Sequence, residues 1–469
     1  MADRKNSARF SAAEIRKNFK SSIKFPSNMA LCTDSREIHT KQIFIPISGK
    51  KFDGHQFINN VLSRFDRPIK GLSVFSFCDR KKINKVNKKY RNKLIVVNNT
   101  LQAYQKLAGY HRKKINPTVI AITGSSGKTT CKEMIASVLS KQFKTHFTEA
   151  NFNSEIGVPK TILEMPENTE VLVLELGMRA GGEIKELSKI SKPDIAIITN
   201  TGTAHIGKLG SEQAIVKAKC EILEYLNKGG LSILPNSQRV LKESSRIWKG
   251  KTASFGTENI SSILFQGEKT WFTISAGSLV NERYFIKAHG IVYVLNALIA
   301  ILTGKYLGLS KADIQRGLSQ FEIPQGRGNV IELGGEIFLV DESYNANPDS
   351  VRAAVLNLSE RWNRNHRKFF VMGELAELGK FEKKLLTEIS KELKRAGNIT
   401  VITVGEKLKR LVKGGNIENA KDISEAISIL TGQLVPGSVV MIKGSRVAGL
   451  EKIREILLKR YSKKQLLLK

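Results

Sequence analysis

The sequence predicts an α/β chain of three domains, in which a central domain, built on a parallel sheet and a phosphate loop, is flanked by a smaller N-terminal α/β domain and a C-terminal Rossmann-like domain. Three observations predict it. At 469 residues the chain is too long for a single core and falls in the range of roughly two to four. From about Ile115 to Leu234, short apolar runs alternate with helical ones. A second series of the same kind starts near Glu336.

In the first series the strands are Val119 to Thr123, Val171 to Leu176 and Ile195 to Thr199, with helices at Lys128 to Leu139 and around Glu183 to Ile190. Near-continuous apolar strands that alternate with helices predict a parallel sheet covered on both faces. The second series places strands before Asp341, at Phe369 to Met372, at Ile402 to Val404 and at Val439 to Ile442. Pro324-Gln325-Gly326-Arg327-Gly328 reads as the hinge before it. The expected boundaries are therefore 1–112, 113–323 and 324–469. The first hundred or so residues carry weaker periodicity.

Composition, with 41% hydrophobic and 25% charged residues, is that of a globular chain and excludes a disordered or fibrous one. Lys and Arg number 76 against 43 Asp and Glu, and the resulting +33 favours polyanionic partners without choosing among nucleic acid, membrane and small substrates. The dense basic run from Arg80 to Lys93 reads first as a solvated surface. Cys32, Cys78, Cys131 and Cys220 lie far apart with no metal-ligand spacing, as expected for reduced thiols. The N-terminal stretch has charge but no apolar core behind it, and no run approaches eighteen apolar residues. A cytoplasmic protein without a membrane span is expected.

The sharpest motif is Thr123-Gly124-Ser125-Ser126-Gly127-Lys128-Thr129-Thr130, between a predicted strand and a predicted helix. That context is the one a phosphate loop requires. Gly124 and Gly127 allow successive N–H groups to converge on phosphate oxygens at the positive end of the helix. Lys128 is expected to neutralise the β- and γ-phosphates of ATP, and Thr129 to ligate Mg²⁺. The position five residues before Gly127 is Ile122 in place of glycine, which implies a shortened loop. Glu175 ends an apolar strand, on the edge of the sheet where the loop lies, so a magnesium role follows. His205 follows the strand that ends at Thr199 and reaches the same edge.

This compact loop resembles that of the Mur ligase superfamily, and the similarity extends from about residue 31 to 450. Within that superfamily the resemblance is to the branch that joins D-alanyl-D-alanine to UDP-N-acetylmuramoyl-tripeptide. It implies that Thr33-Asp34-Ser35-Arg36 and Ile43 to His55 belong to a uridine-nucleotide domain, with Asp34, Ser35 and Arg36 binding substrate. Asn151, Asn153 and Glu155 fall in a second substrate segment, where Phe152 and Ser154 replace a common Leu and Asn. Lys219 takes the place of the lysine that most members carbamylate, converting a cation into an anionic magnesium ligand.

The segment Asp341 to Ser350 is the most discriminating one and is similar to a signature of this branch. The resemblance assigns Arg327 and Asp341 to the nucleotide, with Tyr344, Asn345 and Asn347 lining the site. Val292 and Tyr293 stand where the family usually has His and Asn, whereas Asn296 is retained as a nucleotide contact. Met372 to Leu375 and Lys443 to Arg446 also match, in the domain expected to take the dipeptide. The implied protein is a monomeric, ATP- and Mg²⁺-dependent amide ligase working through an acyl phosphate. The alternatives are a sister ligase that adds another amino acid or polyglutamylates folate, and, from a different class, a nucleic-acid-binding ATPase. Interleaved aromatics on the basic run would have favoured the latter.

Overall fold

A computed structural model describes residues 8–25, 28–49, 52–66, 74–275, 279–362 and 365–467. Residues 1–7, in the N-terminal stretch, and Lys50 and Lys51, in the expected uridine-nucleotide segment, lie outside the described residues.

The N-terminal sheet has strands β1 (Arg9–Phe10), β2 (Met29–Cys32), β3 (Gln42–Phe44), β4 (Phe75–Asp79) and β5 (Leu94–Val97) side by side in that order. All pairs are parallel except the first. The helix Thr100–Ile115 follows, capped at its start by the Asn99 side chain, which accepts from Gln102 N at 2.9 Å. It runs three residues past the expected boundary at 112, because its left-handed cap falls at Asn116, just before Pro117. Its buried Ala103, Tyr104, Leu107 and Ala108 join the same apolar cluster as Val158, Ile162 and Leu163 of the next unit. The basic run forms two short 3₁₀ turns, Arg80–Lys85 and Lys88–Lys93. Within it Lys82 pairs with Asp53 at 2.9 Å, and Lys89 and Lys93 both pair with Asp66 at 3.2 Å.

The central sheet comprises β6 (Thr118–Thr123), β7 (Thr145–Phe147), β8 (Val171–Glu175), β9 (Ile195–Ile198), β10 (Leu231–Pro235) and β11 (Lys251–Phe255). Their order is β11-β10-β9-β6-β8-β7, and every pair is parallel. Val119, Ile120, Ala121 and Ile122 are fully buried, as expected of a strand covered on both faces. Each large side chain there stabilises the fold by about 1.5–3 kcal/mol. β6 is flanked by β8 and β9, so the chain turns to opposite sides of the sheet after β6 and the crevice opens at the carboxyl ends of these three strands.

A three-stranded antiparallel meander follows, with β12 (Ile260–Gln266), β13 (Lys269–Ile274) and β14 (Arg283–Ile286). Among the described residues β12 pairs on one side only. It carries no charge and exposes Ile263, Leu264 and Phe265. The helix Ile291–Tyr306 then packs on the helix Lys128–Leu139.

The C-terminal sheet holds β15 (Asn329–Gly334), β16 (Ile337–Glu342), β17 (Arg367–Gly373), β18 (Ile399–Val404), β19 (Ile417–Ala420) and β20 (Ser438–Lys443) in the order β15-β16-β20-β17-β18-β19. Only the β15–β16 pair is antiparallel. Among the described residues no helix is long and apolar enough to cross a membrane.

Candidate active site

The loop between β6 and the helix Lys128–Leu139 is shaped by the end of β9. The Thr199 hydroxyl donates to Ser126 O at 2.6 Å, and Asn200 Oδ1 accepts from Ser125 N and Ser126 N, both at 3.0 Å. Gly124 lies so close to this strand that a Cβ on it would come within 1.8 Å of Thr199 Oγ1. Gly127 has φ +75°, which a glycine adopts at little cost. The helix that follows has no side-chain cap, so the N–H groups of Lys128, Thr129 and Thr130 are left for an anion at its positive end. Lys128 folds back over the loop, with Nζ 2.9 Å from Gly124 O. Burial lowers its pKa, Glu175 opposes that, and Arg327 lowers it further.

Glu175, at the end of β8, is buried and ties two sequence segments together. Its Oε2 accepts from Thr129 Oγ1 at 2.8 Å and its Oε1 from Asn153 Nδ2 at 2.7 Å. Asn153 N is bonded to Asn151 O at 2.7 Å, and Glu155 O accepts from Gln105 of the helix Thr100–Ile115 at 3.0 Å, so the expected substrate segment runs beside the loop. Lys219, on the helix Glu212–Cys220, is 1% exposed and makes no ion pair among the described residues. Burial first, and repulsion from Lys128 second, hold its pKa well below the usual lysine range. Four of the groups expected at the phosphates and the metal, Lys128, Thr129, Glu175 and Lys219, therefore act on one another.

Asn296, one helix turn inside Ile291–Tyr306, faces Gly127: a Cβ on that glycine would lie 3.4 Å from Asn296 Oδ1. Its buried Nδ2 has no hydrogen-bond partner, which leaves a donor available beside the loop. Tyr293, which departs from the family pattern, donates its hydroxyl to the Arg327 carbonyl and so links this helix to the hinge. The C-terminal domain reaches the loop through Asn347, whose Nδ2 lies 3.3 Å from Ser125 O. Tyr344 is covered by the Arg327 guanidinium at 4.1 Å from the ring centroid, and Asn345 O accepts from Lys443 Nζ at 3.4 Å.

Other expected residues sit differently. His205 does not sit free at the sheet edge: its Nδ1 is engaged by Glu377 of the C-terminal domain, which also takes Lys208 at 3.1 Å. That pairing holds Glu377 down near a pKa of about 2, chiefly through the hydrogen bond from His205. Asp341 is turned into its own domain, where Oδ1 accepts from Ser343 Oγ at 2.6 Å and Oδ2 from Arg454 Nη1 at 3.0 Å. These bonds hold the Asp341 carboxylate in place at the end of β16, and Oδ2 keeps a lone pair for a further donor. Arg454→Met is expected to destabilise the protein by about 3–5 kcal/mol in urea unfolding, since it strands a buried carboxylate. Asp34 forms a closed turn with Arg36, at 2.7 Å between Oδ2 and Nη2, and the Ser35 carbonyl accepts from Arg64. That turn is in the N-terminal domain.

The reading of the sequence missed Thr199, Asn200, Glu377 and Arg454. Asn200 had a usable signal, since it follows β9 on the edge that singled out Glu175. Glu377 and Arg454 had none, because their partners are more than a hundred positions away.

Among the described residues no three His, Cys, Asp or Glu side chains gather as a metal cage. Mg²⁺ at phosphate sites is commonly held by one or two protein oxygens, with phosphate and water completing the shell, so the Thr129 hydroxyl beside the Glu175 carboxylate is a fitting donor set.

Residues 122–304 match the Mur ligase middle domain, and residues 326–446 the Mur ligase glutamate ligase domain. A protein of Bacillus subtilis (strain 168) named UDP-N-acetylmuramoyl-tripeptide--D-alanyl-D-alanine ligase is 34% identical over 437 residues, covering 90% of this chain and 92% of its own. One of the same name from Synechocystis is 33% identical, covering 90% of each chain. The crystal structure of MurF from Acinetobacter baumannii superposes with a TM-score of 0.85 at 28% identity, over 96% of this chain and 99% of that one. MurF ligase from Thermotoga maritima, solved in complex with ADP, gives 0.82 at 26% identity, over 93% and 98%. Similarity of this extent along nearly the whole length places the chain in the Mur ligase family.

Proposed function

We propose that the chain joins D-alanyl-D-alanine to the terminal carboxylate of UDP-N-acetylmuramoyl-tripeptide, with ATP as phosphoryl donor, in the synthesis of the peptidoglycan precursor. The observation that carries the reading is the contact of Asn347, in the segment Asp341 to Ser350, with Ser125 of the phosphate loop. It brings the stretch that separates this branch from its sister ligases to the place where phosphate would bind. The names of the relatives support the substrates, and the ADP complex of the Thermotoga protein supports the nucleotide.

In the reaction a carboxylate oxygen of the tripeptide attacks the γ-phosphorus of ATP, the bond to the β–γ bridging oxygen breaks, and ADP leaves. The dipeptide amine then attacks the carbonyl carbon of the acyl phosphate. Phosphate leaves and the amine gives up its proton, so the products are an amide, ADP and phosphate. Most of the work for the protein is positioning and charge stabilisation. The first-turn N–H groups of the helix Lys128–Leu139 and the Lys128 ammonium face the phosphates, and Asn296, Arg327 and Asp341 face the rest of the nucleotide. Thr129 and Glu175 would hold Mg²⁺, with His205 and a carbamylated Lys219 completing the proposed set. When bound, the ion supplies positive charge to the phosphate oxygens. Asp34, Ser35 and Arg36 take the uridine end, while Asn151, Asn153, Glu155, Tyr344 and Asn345 line the path of the peptide. The same reading makes the protein a cytoplasmic monomer.

ADP release is expected only when ATP, UDP-N-acetylmuramoyl-tripeptide and D-alanyl-D-alanine are all present, in step with the new amide. Release stimulated by nucleic acid and indifferent to both peptides would refute the reading. Preference for glutamate or another single amino acid as acceptor would move the chain to a sister activity.

A further inference from the structure

The loop that leaves β9 touches the C-terminal domain twice. His205 and Lys208 meet Glu377, and a few residues earlier Thr203 meets Asp349. The second contact is built from several parts. Asp349 lies in the first turn of the helix Pro348–Arg361, whose cap is Asn347, with Oδ1 accepting from Ser350 N at 2.9 Å. Asp349 Oδ2 accepts both the N–H of Thr203, at 2.6 Å, and its hydroxyl, at 2.8 Å. Asp349 Oδ1 accepts from Arg352 Nη1 at 3.3 Å. Arg352 Nε in turn lies 2.9 and 3.0 Å from the two oxygens of Glu392, and its Nη2 lies 3.2 Å from Glu388 Oε2, both on the helix Glu382–Arg395.

Glycine at 202 is what lets the carboxylate in. A Cβ there would fall 2.3 Å from Asp349 Oδ2. On the central side the same loop is anchored to the phosphate loop, because Gly202 O accepts from Ser125 Oγ at 3.0 Å and Asn200 holds the N–H groups of Ser125 and Ser126. A continuous path of hydrogen bonds therefore runs from the phosphate loop through residues 200–203 to Asp349, and through Arg352 to a second helix of the C-terminal domain.

We propose that Asp349 is a positioning residue for the ligation. It seats the C-terminal domain on the phosphate loop so that Asn347 reaches Ser125, and Arg352 fixes the direction in which the Asp349 carboxylate points. Asp349 touches neither the nucleotide nor the reacting atoms in this scheme. Its effect is to place the residues that do, and a misplacement of about 1 Å is enough to cost up to about a hundredfold in rate. Closing one domain on another also excludes water from an acyl phosphate. The inference rests on the proposed ligase reading for its rate measurements and is independent of it for its measurements of shape.

The test compares Asp349→Ala, Gly202→Ala and the double variant with the unaltered full-length chain. Asp349→Ala is expected to lower kcat at least about tenfold. The dissociation constant for an ATP analogue should change less than about threefold, because the loop N–H groups and Lys128 are untouched. Thermal melting should be unaltered within a few degrees, and compaction in small-angle scattering with a non-hydrolysable ATP analogue and UDP-tripeptide should be lost. Gly202→Ala should mimic this by pushing Asp349 away, and should add nothing in the Asp349→Ala background, since both act through one contact. Full kcat and full compaction in Asp349→Ala would overturn the proposal, as would additive losses in the double variant. Failure of the unaltered chain to ligate would instead strike the functional reading. Compaction lost in Asp349→Ala and kept in the unaltered chain would still support the latch in that case.

Discussion

Lys128→Ala is expected to leave the fold intact and to lower the turnover of amide ligation by at least about a hundredfold, the usual loss when a preorganised charge-stabilising group is removed. The fold should survive because the Lys128 side chain is only partly buried and makes one hydrogen bond, to Gly124 O, whereas the loop itself is held by Thr199 and Asn200. The rate should fall because the ammonium folds over the loop, where the transferring phosphoryl group is expected. Burial lowers its pKa, so the charge is costly to hold there and gains most when an anionic phosphate lies beside it. Circular dichroism and melting would verify the fold, and a coupled ADP assay the rate. Near-normal turnover would remove the phosphate-loop assignment.

Lys219→Ala should abolish ligation, and high concentrations of formate or acetate should restore part of it. An ammonium at this position would be repelled by Lys128 and by any magnesium ion nearby, since like unit charges about 4 Å apart cost about 4 kcal/mol at an effective dielectric of about 20. The environment answers by favouring the neutral amine. A neutral amine attacks CO₂: the N–C bond forms, one proton leaves, and a carbamate replaces the cation with oxygen donors that hard Mg²⁺ prefers. Truncation to alanine leaves room for a small carboxylate in the same place. Mass spectrometry of the intact protein in bicarbonate provides a readout besides activity. Full activity of the alanine variant without added acid would make Lys219 an ordinary buried helix lysine.

The parallel-sheet series were legible because strands buried on both faces read as apolar runs. Val171 to Leu176 is observed as Val171–Glu175, and Phe369 to Met372 lies within Arg367–Gly373. The meander was not legible, since Ile260–Gln266 has no buried residue to mark an inward face. The N-terminal sheet was faint because its strands are two to five residues long. In the site, Lys128 and Thr129 stood out from the glycine loop between a strand and a helix, and Glu175 from its place at a strand end, positions that the sheet topology brings together. Asp341 also lies at a strand end, and its partner Arg454, on the helix Glu451–Leu467, is too far away in the sequence to be read as one. Asp349 was covered by the family segment without being singled out, because Thr203 becomes its neighbour only after both domains have folded.

The uncharged strand Ile260–Gln266 has a further consequence at the level of many molecules in solution. A seven-residue edge with exposed Ile263, Leu264 and Phe265 is a template for pairing with the same edge of another copy, and proteins commonly blunt such edges with a lysine, a proline or a bulge. Here the strand itself has no lysine and no proline, and its register shift, between Ile260 and Ser262, precedes the exposed residues. The surplus of +33 is expected to oppose this from a distance, because two copies that approach edge to edge must first bring two strongly positive bodies together. That protection is long-range and is therefore screened, with a reach of about 8 Å at physiological ionic strength and about 3 Å in molar salt. The expected outcome is a chain whose resistance to edge pairing draws on its whole surface and weakens as salt is raised, which light scattering against salt concentration would measure.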